Sequence, residues 1–212
     1  MPRTLVVGDV HGCVQELVQL LEKADADRVI LLGDLFTKGP EPVAVWRVIQ
    51  EYGLTSVLGN HDQRLIDYID GHRPSDERAR RVVRLLKNED AQSLDWLRQL
   101  PLCIELDDFW VVHAGIHPVD GVEGTTRKMA LNMRSWPRDE LGEPKWHVAY
   151  QGDKGVIFGH DARQGLFCRK KQGKPWLVGL DSGCVYGGLL SGFLVEELRV
   201  LQVKAKHCYR PV

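Results

Sequence analysis

The sequence predicts an α/β fold, a strand-rich core with helices outside it. Three observations carry this expectation. The first 60 residues alternate β-α-β-α-β, the pattern of right-handed crossovers on a parallel sheet. Residues 61–100 read as helical throughout. The second half then offers several short strand candidates with few helices between them.

The elements follow in order. Thr4–Gly8 is a β-rich run that ends in Gly8-Asp9-Val10-His11-Gly12. Val14, Leu17, Val18, Leu21 and Ala24 then recur at helical spacing. Arg28–Leu32 is a second strand, also ending in Gly-Asp. Pro40 suits the first turn of the next helix, Val43, Trp46, Val48, Ile49 and Tyr52 form its apolar side, and Gly53 stops it. Leu54–Leu58 is a third strand, ending in Gly59-Asn60-His61-Asp62. Leu65, Ile66 and Ile69 line one helical face, and Gly71-His72-Arg73-Pro74-Ser75 interrupts it. Val82, Val83, Leu85 and Leu86 are the apolar side of a charged helix over 76–87. Leu94, Trp96, Leu97 and Leu100 belong to another that ends before Pro101. Residues 62–100 thus form a small helical cap on a single domain spanning 1–212. Leu102–Leu106 and Phe109–His113 flank Asp107-Asp108 as a hairpin. Residues 114–150 are loops with one short helix near Thr126–Arg134. Gly155–Gly159, Trp176–Leu180, Leu189–Glu196 and Leu198–Lys204 are further strands.

Composition narrows the function classes. The 212 residues carry 28 Lys plus Arg and 29 Asp plus Glu, a net charge of -1, so stable nucleic-acid binding is not expected from bulk charge. No apolar run approaches membrane-spanning length, and the N-terminal residues are too short before polar ones for a signal peptide. Cys13, Cys103, Cys168, Cys184 and Cys208 are odd in number and widely spaced, which points to a reducing, cytoplasmic setting.

Polar residues gather at strand ends, where ligands bind in α/β sheets. The first three strands deliver Asp9 and His11, then Asp34, then Asn60 and His61; two later ones deliver His113 and His160. Asp9, His11, Asp34, Asn60, His113 and His160 make a set of hard oxygen and borderline nitrogen ligands. It suits two divalent ions, manganese first among Mn, Fe, Zn, Co and Ni. One carboxylate can bridge two such ions, and Asp34 is the candidate. A metal-binding structural or interaction module is the reading from a different class.

The ordered motifs resemble a known family. Gly8-Asp9-Val10-His11-Gly12, Gly33-Asp34 with Lys38-Gly39-Pro40, Gly59-Asn60-His61-Asp62, His113-Ala114-Gly115 and Gly159-His160 resemble the calcineurin-like metallophosphoesterases, and more narrowly the phosphoprotein phosphatase superfamily. Asp181-Ser182-Gly183-Cys184-Val185-Tyr186-Gly187-Gly188 matches that superfamily's closing motif. The resemblance implies a four-layer α/β/β/α sandwich with a dinuclear metal centre. Asp9, His11 and Asp34 would hold one ion, and Asp34, Asn60, His113 and His160 the other. Two such ions polarise phosphoryl oxygens and activate water for in-line attack. His61 would be the general acid, and its presence beside a full ligand set argues against the binding module. Lys38 and Arg134 would neutralise phosphate, and Tyr186 would line the site or the core.

Two departures bear on substrate. Thr37 stands where the protein phosphatases carry an Asp that orients the acid histidine, and Lys38 where they carry an Arg. Lysine brings a point charge without the bidentate fork. Lys38-Gly39-Pro40, Gly159-His160-Asp161-Ala162 and Trp96-Leu97-Arg98-Gln99-Leu100-Pro101 resemble instead the symmetrical diadenosine tetraphosphatases. The expected substrate is diadenosine tetraphosphate, cut into two ADP, with protein phosphatase and polyphosphatase activities as alternatives.

Overall fold

The computed structural model describes residues 2–72, 76–140 and 142–211. The first half folds as β1 (Thr4–Val7), α1 (Val14–Ala24), β2 (Arg28–Leu31), α2 (Pro42–Glu51), β3 (Thr55–Ser56), α3 (Asn60–Ile69), α4 (Glu77–Glu89) and α5 (Gln92–Arg98). It continues as β4 (Cys103–Glu105), β5 (Phe109–Val112), α6 (Arg127–Asn132), β6 (Gly155–Phe158), β7 (Phe167–Lys171), β8 (Lys174–Gly179), β9 (Leu189–Leu194) and β10 (Arg199–Lys204).

Two five-stranded mixed sheets face each other, ordered β10-β9-β1-β2-β3 and β4-β5-β6-β8-β7. The expected β-α-β-α-β unit is the parallel part of the first sheet, Val6 pairing with Ile30 and Leu31 with Ser56. Of the chain's last two strands, β9 joins that sheet antiparallel to β1, and β10 pairs antiparallel with β9 at the edge. In the second sheet the β4–β5 hairpin forms as expected, and β5, β6 and β8 run parallel.

Strand alternation sorts the core. Leu5 and Val7 pack under the helices of the first sheet, and Val6 between them points at the second sheet. Val6, Ile30, Val57, Phe109, Val111, Ile157, Val178 and Phe193 fill the space between the sheets. The outer face of the second sheet is covered thinly, by α6 residues Ala130 and Met129 with Trp146 and Tyr150. The result is a four-layer sandwich whose helices weigh on one side.

The cap packs onto that heavy side. Trp46 of α2 meets Trp96 of α5 edge-on at 5.2 Å, and its indole N–H donates to Asp90 at 3.2 Å. Leu65, Val82, Leu86, Leu94 and Leu97 join the same buried cluster as α1 and α2. Three expectations need correction or restriction. Pro42, not Pro40, opens α2, with Glu41 ahead of it. The strand β7 was not expected; Gln172 and Gly173, both at positive φ, turn it into β8. The interruption at 71–75 falls partly on Arg73, Pro74 and Ser75, which lie outside the described residues. No helix among the described residues is long and apolar enough to cross a membrane.

Candidate metal centre

The six candidate ligands converge where the strand ends of both sheets meet. Asp9 follows β1, Asp34 follows β2, Asn60 opens α3, and His113 and His160 follow β5 and β6. All six are buried. The loops that carry them are joined by main-chain hydrogen bonds: His11 N–H donates to Asp34 at 2.7 Å and Gly12 N–H to Leu35 at 2.8 Å. The backbone approaches so closely that side chains are excluded at key points. A Cβ on Gly59 would sit 2.1 Å from the Asp34 nitrogen, and one on Gly159 would sit 2.2 Å from Asp9 Oδ1. His11, Asp34 and His160 themselves adopt φ of 47°, 55° and 72°. Such left-handed conformations are costly for residues with a Cβ and persist where surrounding contacts hold them.

Asp62 is one of those contacts, and sequence reasoning did not single it out. Its carboxylate is fully buried and accepts from the backbone N–H groups of Asp34 (2.6 Å), Leu35 (3.0 Å) and Gly59 (3.2 Å). Burial and the nearby Asp34 charge push it up to about 7, against the three donors. It ties the loop after β2 to the start of α3.

The donor set fits divalent cations. His113 Nδ1 lies 2.7 Å from the Leu32 carbonyl oxygen and His160 Nε2 lies 3.1 Å from that of Asn132. Each carbonyl needs a donor, so it fixes the proton on the outer ring nitrogen. The inner nitrogens, His113 Nε2 and His160 Nδ1, then face each other as lone pairs at 3.2 Å. Asn60 Oδ1 is 3.0 Å and Asp34 Oδ1 3.6 Å from the same His113 nitrogen. Burial lowers both imidazoles, His160 well below its ordinary value, with neighbouring positive groups adding to the effect. These converging acceptors therefore lack a shared proton, and a metal ion is the partner that satisfies them.

Asp34 is common to two clusters. Asp9, Asp34 and His113 bring ligand atoms within 4.8 Å of one another, and so do His11, Asp34 and His61. Burial works to raise Asp34, but His113, His61, His11 and Lys38 together hold it far below the carboxylate range. Asp9 goes the other way, raised by burial and by the charges of Asp181 and Asp34. Two clusters that share a carboxylate have the form of a dinuclear divalent-metal site.

The remaining candidates divide. His61 is half-buried, its ring edge-on to His11 at 5.1 Å and its backbone N–H on Asp34 Oδ1 at 2.8 Å. Burial lowers it to about 4, with Asp34 opposing and Lys38 and Arg64 reinforcing the shift. It stands near enough to His11 and Asp34 to hold an ion as well as to give a proton. Thr37, at the position where the protein phosphatases carry an Asp, has its hydroxyl 3.3 Å from His11 Nδ1. Lys38, at φ 69°, points inward, with Nζ 2.7 Å from His11 Nε2 and 5.5 Å from the centre of the Tyr186 ring. Arg134 is about half exposed, 3.8 Å from Asp161. Asp161 also binds Lys145, and neither residue was foreseen.

Above the buried cluster opens a cleft of about 1440 Å³. His61, Lys38, Arg134, His160 and Tyr186 line it, and Arg64, Arg78, Arg163 and Arg210 add positive charge to its walls.

Comparison with known proteins agrees with this architecture. The profile of the calcineurin-like phosphoesterase family matches residues 2–171. A symmetrical bis(5'-nucleosyl)-tetraphosphatase of Vibrio cholerae is 36% identical, the match covering 91% of this chain and 94% of the relative. That of Nitrosomonas europaea is 26% identical over 94% and 97%. The first of these alignments runs over 260 positions against the 212 residues here, so the relative carries segments this chain lacks. A crystal structure described as a candidate diadenosine tetraphosphatase superposes with a TM-score of 0.83 at 32% identity, over 96% of this chain and 94% of the other. A protein serine/threonine phosphatase of Saccharomyces cerevisiae shares the fold alone, with a TM-score of 0.56 at 14% identity over 99% and 81%. A dinuclear-type donor cluster at the strand ends of a two-sheet sandwich, matched along most of its length, makes this chain a member of the calcineurin-like phosphoesterase family and a metal-dependent phosphohydrolase.

Proposed function

We propose that the chain hydrolyses dinucleoside tetraphosphates symmetrically, releasing two nucleoside diphosphates. The observation that carries this reading is the charge of the cleft. Lys38, Arg64, Arg78, Arg134, Arg163 and Arg210 surround the approach to the buried cluster, and Asp76, Glu77, Asp161 and Asp181 offset them only in part. A row of phosphates is the ligand such a wall attracts. The activity named for the Vibrio and Nitrosomonas relatives supports the same substrate.

In this reading Asp9, His11 and Asp34 hold one divalent ion, and Asp34, Asn60, His113 and His160 the other, with manganese our choice for the oxygen-rich set. Such ions supply Lewis acidity and an activated water at neutral pH. The chain's own groups do the rest. His61, neutral as it stands, would take up a proton when a phosphate's negative charge lies beside it and pass that proton to the leaving oxygen. Lys38 meets one phosphate as a point charge, and Arg134 takes another through its planar fork. Asp161 lies 3.8 Å from Arg134 in the cleft wall. A nucleoside diphosphate leaves readily, so it needs little help in orienting the acid; this fits a Thr37 that contacts His11 rather than His61. We further read the chain as cytoplasmic, since its five cysteines are all free thiols.

The test is product analysis with the manganese-loaded enzyme and diadenosine tetraphosphate. Two ADP are expected, and AMP with ATP would overturn symmetric cleavage. The kcat/KM should exceed that for a phosphoserine peptide by at least roughly tenfold, about 1.4 kcal/mol. A peptide preference would overturn the substrate and leave the phosphohydrolase class standing.

A further inference from the structure

A second group of metal-ligating side chains lies away from the Asp34 cluster. Cys13, Glu16 and Cys184 are each no more than 2% exposed, and their ligand atoms fall within 4.8 Å of one another. Cys13 sits at the N-terminal boundary of α1 and Glu16 in its first turn, three residues on, so both project to one side. Cys184 comes from the short 3-10 turn Cys184–Tyr186, entered through Gly183 at φ 72°.

Glu16 is the telling residue. At this helix position a glutamate ordinarily reaches back to the first amide of the turn. Here that amide, of Cys13, is taken by the Val10 carbonyl oxygen at 2.9 Å. The carboxylate turns instead toward the cysteines. Its Oε1 accepts from the Lys206 backbone N–H and the Tyr209 hydroxyl, both at 2.8 Å. Its Oε2 is buried with no hydrogen-bond partner among the described residues. The Lys206 ammonium donates instead to Gln15 at 3.1 Å. A buried carboxylate oxygen without donor or countercharge is costly, and proteins rarely leave one so.

The geometry points to a second, separate metal site in which Cys13, Glu16 and Cys184 take a borderline-soft divalent ion of the zinc class. The ligand chemistry differs from that of the strand-end cluster. Two sulfurs and one carboxylate oxygen suit zinc, cadmium or cobalt and suit manganese poorly. Tetrahedral zinc with bonds of about 2.3 Å spaces two sulfurs about 3.8 Å apart. The present spacing, within 4.8 Å, needs a contraction of at most about 1 Å. Without an ion the contact with Cys13, then burial, push the Cys184 thiol up. On binding, two thiol protons leave to solvent as the sulfurs become thiolates. The Glu16 oxygen that now has no partner gains one.

The position gives the site a structural consequence. Cys13 is two residues from His11, and Cys184 lies between Asp181 and Tyr186 at the cleft. An ion there would fasten the loop after β1 to the loop before β9, beneath the cleft.

Cobalt tests this, because only thiolate ligands give sulfur-to-cobalt charge-transfer absorption and none of the strand-end candidates is a thiol. The full chain is first loaded with manganese under a non-thiol reductant, then titrated with cobalt. The charge-transfer band should level off at the intensity of one cobalt bound by two thiolates, since cobalt that replaces manganese at the strand ends adds no such band. It should persist when Cys103, Cys168 and Cys208 are all changed to Ser, and disappear in Cys13→Ser/Cys184→Ser. Glu16→Gln, which keeps the shape, should retain the fold and weaken cobalt binding by at least roughly tenfold, the lower end of what losing even an indirect partner costs. No thiolate absorption in the wild-type chain at any cobalt load would overturn the site. So would a band that survives in Cys13→Ser/Cys184→Ser, or one unaffected by Glu16→Gln.

Discussion

The strand-end loops and the helical cap solve opposite problems with neighbouring stretches of chain. The loops hold His11, Asp34, Lys38 and His160 at positive φ and bury carboxylates and imidazoles against one another. The cap helices, among the described residues, contain no non-glycine residue at positive φ. They bury leucines and valines on one face and, apart from Asp62 at the start of α3, keep their charges at the surface, as in Glu89 of α4, which meets Arg47 of α2 there. Strain and buried polarity are concentrated at the candidate metal centre, and ordinary apolar packing holds the frame around it. Changes in the loops should therefore act on rate and metal content, and changes on the buried face of the cap, away from the Arg64 and Arg78 that line the cleft, on stability.

The largest effect expected is in the loops. Asp34→Asn, on the proposed role, removes a carboxylate shared by both clusters, and activity on any phosphoester should fall to background in a chain that still shows native circular dichroism. A variant with substantial turnover would break the comparison at its centre. His61→Ala comes next. As a general acid its loss should cost roughly 10²–10⁴-fold in kcat, with metal content unchanged and a smaller loss on aryl phosphates, whose leaving groups need less protonation. An equal loss on all substrates, or loss of an ion, would make it a ligand, a role its distance to His11 and Asp34 also permits.

The cap should respond in the other currency. Leu86→Ala empties a fully buried position of α4 and should lower unfolding free energy by about 2–5 kcal/mol. Activity per folded molecule should stay near wild type, measured by denaturant titration alongside kcat. Asp76→Ala should do least. Asp76 caps α4 by accepting from the N–H groups of Arg78 and Ala79, each at 3.1 Å. Its loss should cost about 1 kcal/mol. Because Asp76 also lines the cleft, its loss removes a negative charge there and should lower KM for a polyphosphate while kcat stays near wild type; a fall in kcat would mean the cap reaches into the chemistry.

The two regions were legible in the sequence for different reasons. The loops announced themselves because five polar motifs each ended a β run, and glycines beside them marked close backbone approach. The cap was legible from helical spacing. What stayed hidden depends on long-range contact. Asp62 looks like any acidic residue in a first helical turn, and its value lies in amides of Asp34 and Leu35, 28 and 27 residues away. That Thr37 contacts His11 was also hidden, because sequence distance does not say which imidazole lies beside the hydroxyl. The strand β7, Phe167-Cys168-Arg169-Lys170-Lys171, is a polar edge strand without a fully buried residue. It therefore lacks the alternation that reveals a half-buried strand. Cys13 and Cys184 read as isolated residues, since 171 positions of chain separate two thiols that the fold brings together.

The central claim, that Asp34 joins two ions at the floor of the cleft, is tested most directly by counting manganese. Manganese is the right probe because the thiols of Cys13 and Cys184 bind it poorly. Wild-type chain and Asp34→Asn are loaded with it, freed of excess and analysed for metal per folded chain. Two ions are expected in the wild type and at most one in the variant. Two ions retained in Asp34→Asn would contradict the bridge.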